Sequence, residues 1–187
     1  LYPNNDYYDM YFRKLATMSR ANINITGGSD KFTYFTNVNF MHQSGLFKTT
    51  NERYDNGFNY NWFNYRTNVD MKINKYLSAF LRLSGNIKRE RMPTCKDNTF
   101  QSLYERMWYV PPTQYGPLTP AIVDEGSGEV IDAGGQIIIN DKDDRPLYAL
   151  LNRAGFRKRT IVNITSQFGL NLDLGFVTKG LSLSGYM

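Results

Sequence analysis

One cysteine, Cys95, and one histidine, His42, are all the thiol and imidazole chemistry that 187 residues contain. A single thiol makes no internal disulfide, and one His with one Cys assembles neither a His/Cys zinc cluster nor a Cys–His catalytic pair without a long-range coincidence. His42 reads as a strand-end residue, and Cys95 as a free thiol in the polar stretch Pro93-Thr94-Cys95-Lys96-Asp97. Long apolar runs are missing as well. Nothing approaches the ~18 consecutive apolar residues that a helical membrane span needs, and the mean hydropathy is -0.50. The glycine pairs Gly126-Ser127-Gly128 and Gly134-Gly135 lack the spacing of a phosphate loop. Without a nucleophile–base constellation, the sequence predicts no enzyme and no cofactor.

The ends are also bare. Leu1-Tyr2-Pro3-Asn4-Asn5 has neither the basic nor the apolar region of a leader. Gly185-Tyr186-Met187 breaks off an alternating run. The expectation is a piece of a longer protein. The formal charge is +5, but the cations sit singly in strand-like runs rather than along one basic helix, so the charge footprint argues against nucleic acid.

What is present is aromatic and alternating. Phe, Trp and Tyr make up 15% of the chain, with 14 Tyr and 12 Phe, which suits strands that need interfacial rings. From Arg20, the residues Ala21, Ile23 and Ile25 alternate with Asn22, Asn24 and Thr26, the period of a strand with one apolar face. The same pattern recurs along the chain and places strands at about 18–26, 31–42, 59–73, 76–91, 159–174 and 181–187. In the third, Phe63, Tyr65, Thr67, Val69 and Met71 oppose Trp62, Asn64, Arg66, Asn68, Asp70 and Lys72. Tight turns are expected near Gly28, Lys75 and Thr178, and long connections over 43–58 and 92–157. The second of these predicts a short helix from Thr99 to Tyr109, stopped by Pro111-Pro112, and a helical turn over Leu147–Asn152.

Two properties decide between readings of this sheet. The expected strands run well beyond the roughly 5–6 residues usual in soluble sheets. Short and long connections also alternate without exception, as they do in outer-membrane barrels with short periplasmic turns and long extracellular loops. The predicted fold is therefore all-β: about six antiparallel strands of a larger transmembrane β-barrel, with short helices in the long loops. Residues 1–187 are one stretch of that barrel domain, and Arg66, Asp70, Arg82 and Lys88 face its lumen. The competing reading is a soluble or surface β-sheet domain that binds glycans or mediates adhesion, with the apolar face packed on a core.

Several motifs then carry a resemblance. Gly27-Gly28-Ser29-Asp30-Lys31 followed by Tyr34-Phe35, Gln43-Ser44-Gly45-Leu46-Phe47-Lys48 and Tyr65-Arg66-Thr67-Asn68-Val69-Asp70 are similar, in this order, to the SusC/RagA-like TonB-dependent receptors of Bacteroidetes. Leu83-Ser84-Gly85-Asn86-Ile87, Pro146-Leu147-Tyr148-Ala149-Leu150-Leu151-Asn152 and Asp173-Leu174-Gly175-Phe176-Val177-Thr178-Lys179-Gly180-Leu181 continue the series. Arg145 stands where the family has Asn before the proline. The resemblance implies a barrel of about 22 strands around a plug, and the plug is absent from this sequence. It also implies an outer-membrane location in contact with lipid, and TonB as the energy coupler through the missing N-terminal part. A SusD-like surface lipoprotein as a lid, pairing of two such complexes as a homodimer, and import of oligosaccharides or peptides complete the implied picture.

Candidate contacts are few. Trp108, Tyr109 and Tyr115 offer faces that stack on sugars, or rings that pack the loop. Asn140-Asp141-Lys142-Asp143-Asp144 clusters oxygens as calcium prefers but lacks EF-hand spacing, so a solvated acidic loop is expected. Asp124, Glu125 and Glu129 resemble a hydrolytic carboxylate pair in composition only, and a loop tip is expected.

Overall fold

The computed structural model describes residues 2–50, 52, 54–94, 100–114, 116–139 and 145–187, and these form two compact units. One unit, residues 18–43, 60–90 and 159–187, is a sheet. Its strands are β1 (Met18–Gly28), β2 (Phe32–Ser44), β3 (Asn59–Lys72), β4 (Leu77–Pro93), β7 (Phe156–Asp173) and β8 (Ser182–Tyr186). They pair in the order β1-β2-β3-β4-β7-β8, so each strand lies beside the next in the chain, with only the small β5 and β6 passed over. The sheet is open, with β1 and β8 as its edges.

The register keeps the two faces apart. Ala21 stands opposite Phe40, Ile23 opposite Val38 and Ile25 opposite Thr36, while Asn22 meets Asn39 and Asn24 meets Asn37. Because paired residues share a face and the period is two, a slip of one residue would put every isoleucine among the asparagines. The turns have local causes. Ser29 N–H donates to the Phe32 carbonyl at 2.7 Å. The Asn74 side-chain oxygen accepts from the backbone of Tyr76 at 2.8 Å and Leu77 at 2.9 Å, an Asx turn. Gly180 takes φ +83 in the β7–β8 turn, a conformation that favours glycine.

This sheet has almost no core. Ala79 is its one buried hydrophobic side chain among the described residues. Ile23, Ile25, Val162, Ile164 and Phe168 all share the apolar face, and all are exposed, Ile164 at 69%.

The packed core belongs to the other unit, residues 1–17, 44–59 and 91–158. It holds α1 (Tyr7–Tyr11), α2 (Phe100–Trp108), β5 (Ile122–Val123), β6 (Val130–Asp132) and α3 (Leu147–Asn152). Tyr7, Tyr11, Phe12, Phe47, Met92, Leu103, Leu147, Leu150 and Leu151 cluster there, buried. Each such side chain contributes roughly 1.5–3 kcal/mol through its burial. Phe12 and Phe47 stack with ring centroids 4.9 Å apart, and Arg13 N–H donates to the Leu46 carbonyl at 2.7 Å. Thr94 N–H donates to the Gly155 carbonyl at 3.0 Å and closes the base of the longest connection. Asn56 is fully buried, and its amide donates to the Leu151 carbonyl near the end of α3. That bond satisfies one of the carbonyls that a helix end leaves open.

Two local expectations are corrected. Residues 1–17 are not simply irregular. Asp6 caps a short helix by accepting from Asp9 N–H at 3.0 Å, and the helix packs Tyr7 and Tyr11 into the core. The Gly/Asp-rich stretch also contains a hairpin, β5 against β6.

Candidate functional site

The sheet unit offers a polar face. Alternation along β3 and β4 puts Arg66, Asp70, Arg82 and Lys88 on it. Arg82 pairs with Asp70 at 2.5 Å and also donates to the Val69 carbonyl at 3.1 Å. Lys88 lies 5.9 Å from the centre of the Trp62 ring. Arg66 has no ionic or hydrogen-bond partner among the described residues. It borders a hollow of about 630 Å³ with Asn37, Asn64, Asn68, Arg82, Ser84, Thr165 and Gln167. Carboxamides tie the strands together across this face. Asn37 donates to both Asn22 and Asn24 at 2.6 Å, and Asn163 donates to Asn86 at 3.3 Å. The face is polar, hydrogen-bonded and largely fixed.

The second unit offers an aromatic groove of about 880 Å³. Tyr7, Tyr8 and Phe12 line one side, and Tyr104, Met107, Trp108, Val110, Pro111 and Pro112 the other. Asn5 and Tyr7 join the sides. Asn5 N–H donates to the Pro112 carbonyl at 3.0 Å, and Tyr7 Oη donates to the Pro111 carbonyl at 3.2 Å. Burial pushes the Tyr7 hydroxyl above its ordinary value, and the Asn5 side chain offsets part of that. Tyr7 is therefore a neutral hydrogen-bonding strut. Trp108, 80% exposed, presents its ring at the groove. Its volume lies within the ~300–1,000 Å³ typical of small-ligand sites.

Of the three expected ring contacts, Trp108 lines the groove, Tyr109 stands beside it with Arg106 over its ring at 5.7 Å, and Tyr115 lies outside the described residues. The sequence reading passed over Tyr7, Tyr8 and Tyr104. The Tyr7-Tyr8 pair after a capping Asp6 was the available clue, but its partner in the chain is about a hundred residues away.

The acidic candidates behave as turn residues. One Asp124 oxygen accepts from Ser127 N–H at 2.6 Å, Ser127 Oγ at 2.9 Å and Gly126 N–H at 3.0 Å. These bonds, the Ser127 backbone first, hold its carboxyl below the usual range. The carboxylate is committed to the β5–β6 tip. Residues 140–144 and Cys95 lie outside the described residues. His42 is at the end of β2, where its Nδ1 and the Asn61 side-chain oxygen are 2.9 Å apart.

A third cluster fixes α3. Tyr148 Oη donates to Glu52 at 2.8 Å, Arg153 Nε donates to the other Glu52 oxygen at 3.3 Å, and Thr50 N–H donates to the Asn152 side chain at 2.7 Å. The Tyr148 hydrogen bond is the largest influence holding the Glu52 carboxyl below its ordinary value. Burial, then Glu52, pushes the Tyr148 hydroxyl up.

No family model matches the chain. Over 84 residues the chain is 31% identical to TonB-dependent receptor P26 of Formosa agariphila. That stretch is 44% of this chain and 8% of the receptor, so the chain spans a small part of the length of the curated relative it matches. The likeness supports the TonB-dependent receptors, which are transporters rather than enzymes, as the family to consider.

Proposed function

We propose that residues 1–187 are wall and surface connections of an outer-membrane TonB-dependent importer of the SusC/RagA type. The observation that carries the reading is the sheet whose apolar face is uncovered while the connections hold the packed core. A soluble sheet buries its apolar face to fold at all. Here that face runs the length of strands of up to 18 residues. At ~3.3 Å per residue, the 14 residues of β3 extend about 46 Å. Tilted by ~40°, they cover about 35 Å of depth, more than the ~25 Å apolar band of such barrels. In this reading Ile23, Ile25, Val162, Ile164 and Phe168 meet lipid, and Arg66, Asp70, Arg82 and Lys88 face the lumen.

The tight turns at residues 29–31, 73–76 and 174–181 then lie at the periplasmic rim, and residues 45–58 and 94–155 lie outside the cell. A SusD-like lipoprotein is the partner at the outer end. TonB reaches the receptor through a plug encoded elsewhere in the chain. The aromatic groove, with Trp108 and Tyr109, contacts the incoming oligosaccharide or peptide.

The test is a pair of nitroxide labels at neighbouring positions of β7, Ile164 and Asn163, in the full receptor in outer-membrane vesicles. The label at Ile164 relaxes with dissolved oxygen and is shielded from a water-soluble nickel chelate, whereas the label at Asn163 is shielded from oxygen. Equal access of the chelate to both positions overturns the reading in favour of a soluble sheet. A cooperatively folded, detergent-free monomer of residues 1–187 does the same.

A further inference from the structure

The polar sheet face carries an unbalanced charge. Strand alternation, anchored by the Arg82–Asp70, Asn163–Asn86 and Asn37–Asn22 contacts, assigns Arg20, Arg66, Lys72, Arg82, Lys88 and Arg159 to it. The same alternation gives it only three carboxylates, Asp70, Glu90 and Asp173. Asp70 is already occupied by Arg82. Arg66 stands at a hollow of about 630 Å³ whose other walls, Arg82 apart, are carboxamides, hydroxyls and one leucine.

The spread of these cations says what kind of body meets them. They stand on β1, β3, β4 and β7. From β1 to β7 is four inter-strand steps, about 19 Å at ~4.8 Å each. A single small anion reaches one or two of them, whereas a folded segment reaches all. Covering such a face with neutral or basic material would strand the cations away from water, which is costly unless they are paired.

We propose that the polar face is the docking surface for an acidic polypeptide segment, with Arg66 as the seat for one of its carboxylates. The inference rests on the reading that the opposite face meets lipid, which leaves this face turned inward. The hydroxyls and carboxamides of Asn64, Asn68, Ser84 and Gln167 add neutral hydrogen-bonding groups around that seat. The segment is recognised by charge and extent, not by a deep pocket.

Zero-length carbodiimide coupling in native outer membranes tests it, because the reagent joins a lysine amine directly to a carboxylate it touches. The full receptor is used as the Arg66→Lys variant, with wild type alongside. Native Lys72 and Lys88 report from the same face if the substitution disturbs folding. The expected result is a linked peptide, read by mass spectrometry, joining position 66 to an Asp or Glu outside this sheet, and no such link at that position in Arg66→Ala. If the lysines of this face stay unlinked but react with a water-soluble acetylating reagent, the face is open to water and the proposal falls. If they neither link nor acetylate, the covering body brings no carboxylate and the proposal also falls. In both cases the nitroxide pair at Ile164 and Asn163 still reports separately on which face meets lipid.

Discussion

Tyr65 on β3 covers Gly85 on β4 so closely that a Cβ at position 85 would stand 2.6 Å from the ring. Tyr34 covers Gly27 and Phe80 covers Gly169 in the same manner. Two of these pairs lie on the apolar face and one on the polar face. In each, a strand glycine that weakens its own ladder gains an aromatic ring from the neighbouring strand. Gly85→Ala therefore forces the Tyr65 ring off its position, at a cost of about 1–3 kcal/mol. Guanidinium unfolding of the full receptor in detergent reads that loss. In a Tyr65→Ala background the same substitution costs little, because the two residues are coupled.

Ile164 and Asn163 adjoin in β7 and face opposite ways. Arginine at position 164 costs about 2–4 kcal/mol if the residue sits near the bilayer midplane. Arginine at position 163 changes stability by less than about 0.5 kcal/mol. The amount of folded receptor recovered from outer membranes, and its unfolding midpoint, should fall for Ile164→Arg alone. Equal losses at both positions would count against a lipid-facing Ile164.

The Glu52 cluster makes the connection sensitive to pH at both ends of the scale. Glu52 titrates below its ordinary 4.5 in the folded chain. Its contribution is present above the unfolded value and is lost as pH falls through the depressed one. Tyr148 titrates above its ordinary 10.0, so its contribution holds below that value and is lost as pH rises through the raised one. Hydrogen exchange over α3 should accelerate on acidification in wild type. In Glu52→Gln the acid dependence flattens, and exchange is already faster at neutral pH.

Trp108→Ala separates binding from folding. The ring is 80% exposed, so the thermal midpoint should stay unchanged. Affinity for the imported ligand should weaken by about 1 kcal/mol or more, roughly fivefold in Kd. Calorimetric titration and a melting curve on the same preparation check both halves. A lower melting temperature with unchanged affinity would make the tryptophan a packing residue.

The sheet was legible because its elements are long and one-sided. Phe32, Tyr34, Thr36, Val38 and Phe40 against Thr33, Phe35, Asn37 and Asn39 leave one strand register that segregates the faces, and β2 has it. Pro111-Pro112 and the run Leu147–Asn152 likewise marked α2 and α3. Short elements escaped. Tyr7–Tyr11 is barely one helical turn, too short for a 3.6-residue period to appear, and its Asp6 cap is a weak cue alone. Ile122-Val123 and Val130-Ile131 flank a Gly-Ser-Gly tip, but two residues show no alternation. The groove was legible only at Trp108, because Tyr7 and Tyr104 meet across ninety-odd residues and nothing local encodes that meeting. The glycine–aromatic pairs needed the inter-strand register, which composition does not carry.

The hydrogen bond between Thr94 and Gly155 bears on how the chain folds in time. β1 to β4 are joined by short links and can zip in sequence, but β7 arrives only after residues 94–155. An unstructured link of that length costs about 2 kcal/mol more closure entropy than one a tenth as long. A link that collapses on its own leucine core and clasps its two ends beforehand presents β7 to the growing edge as though the detour were a hairpin. The rate of sheet completion should therefore be set by how fast the surface connection folds.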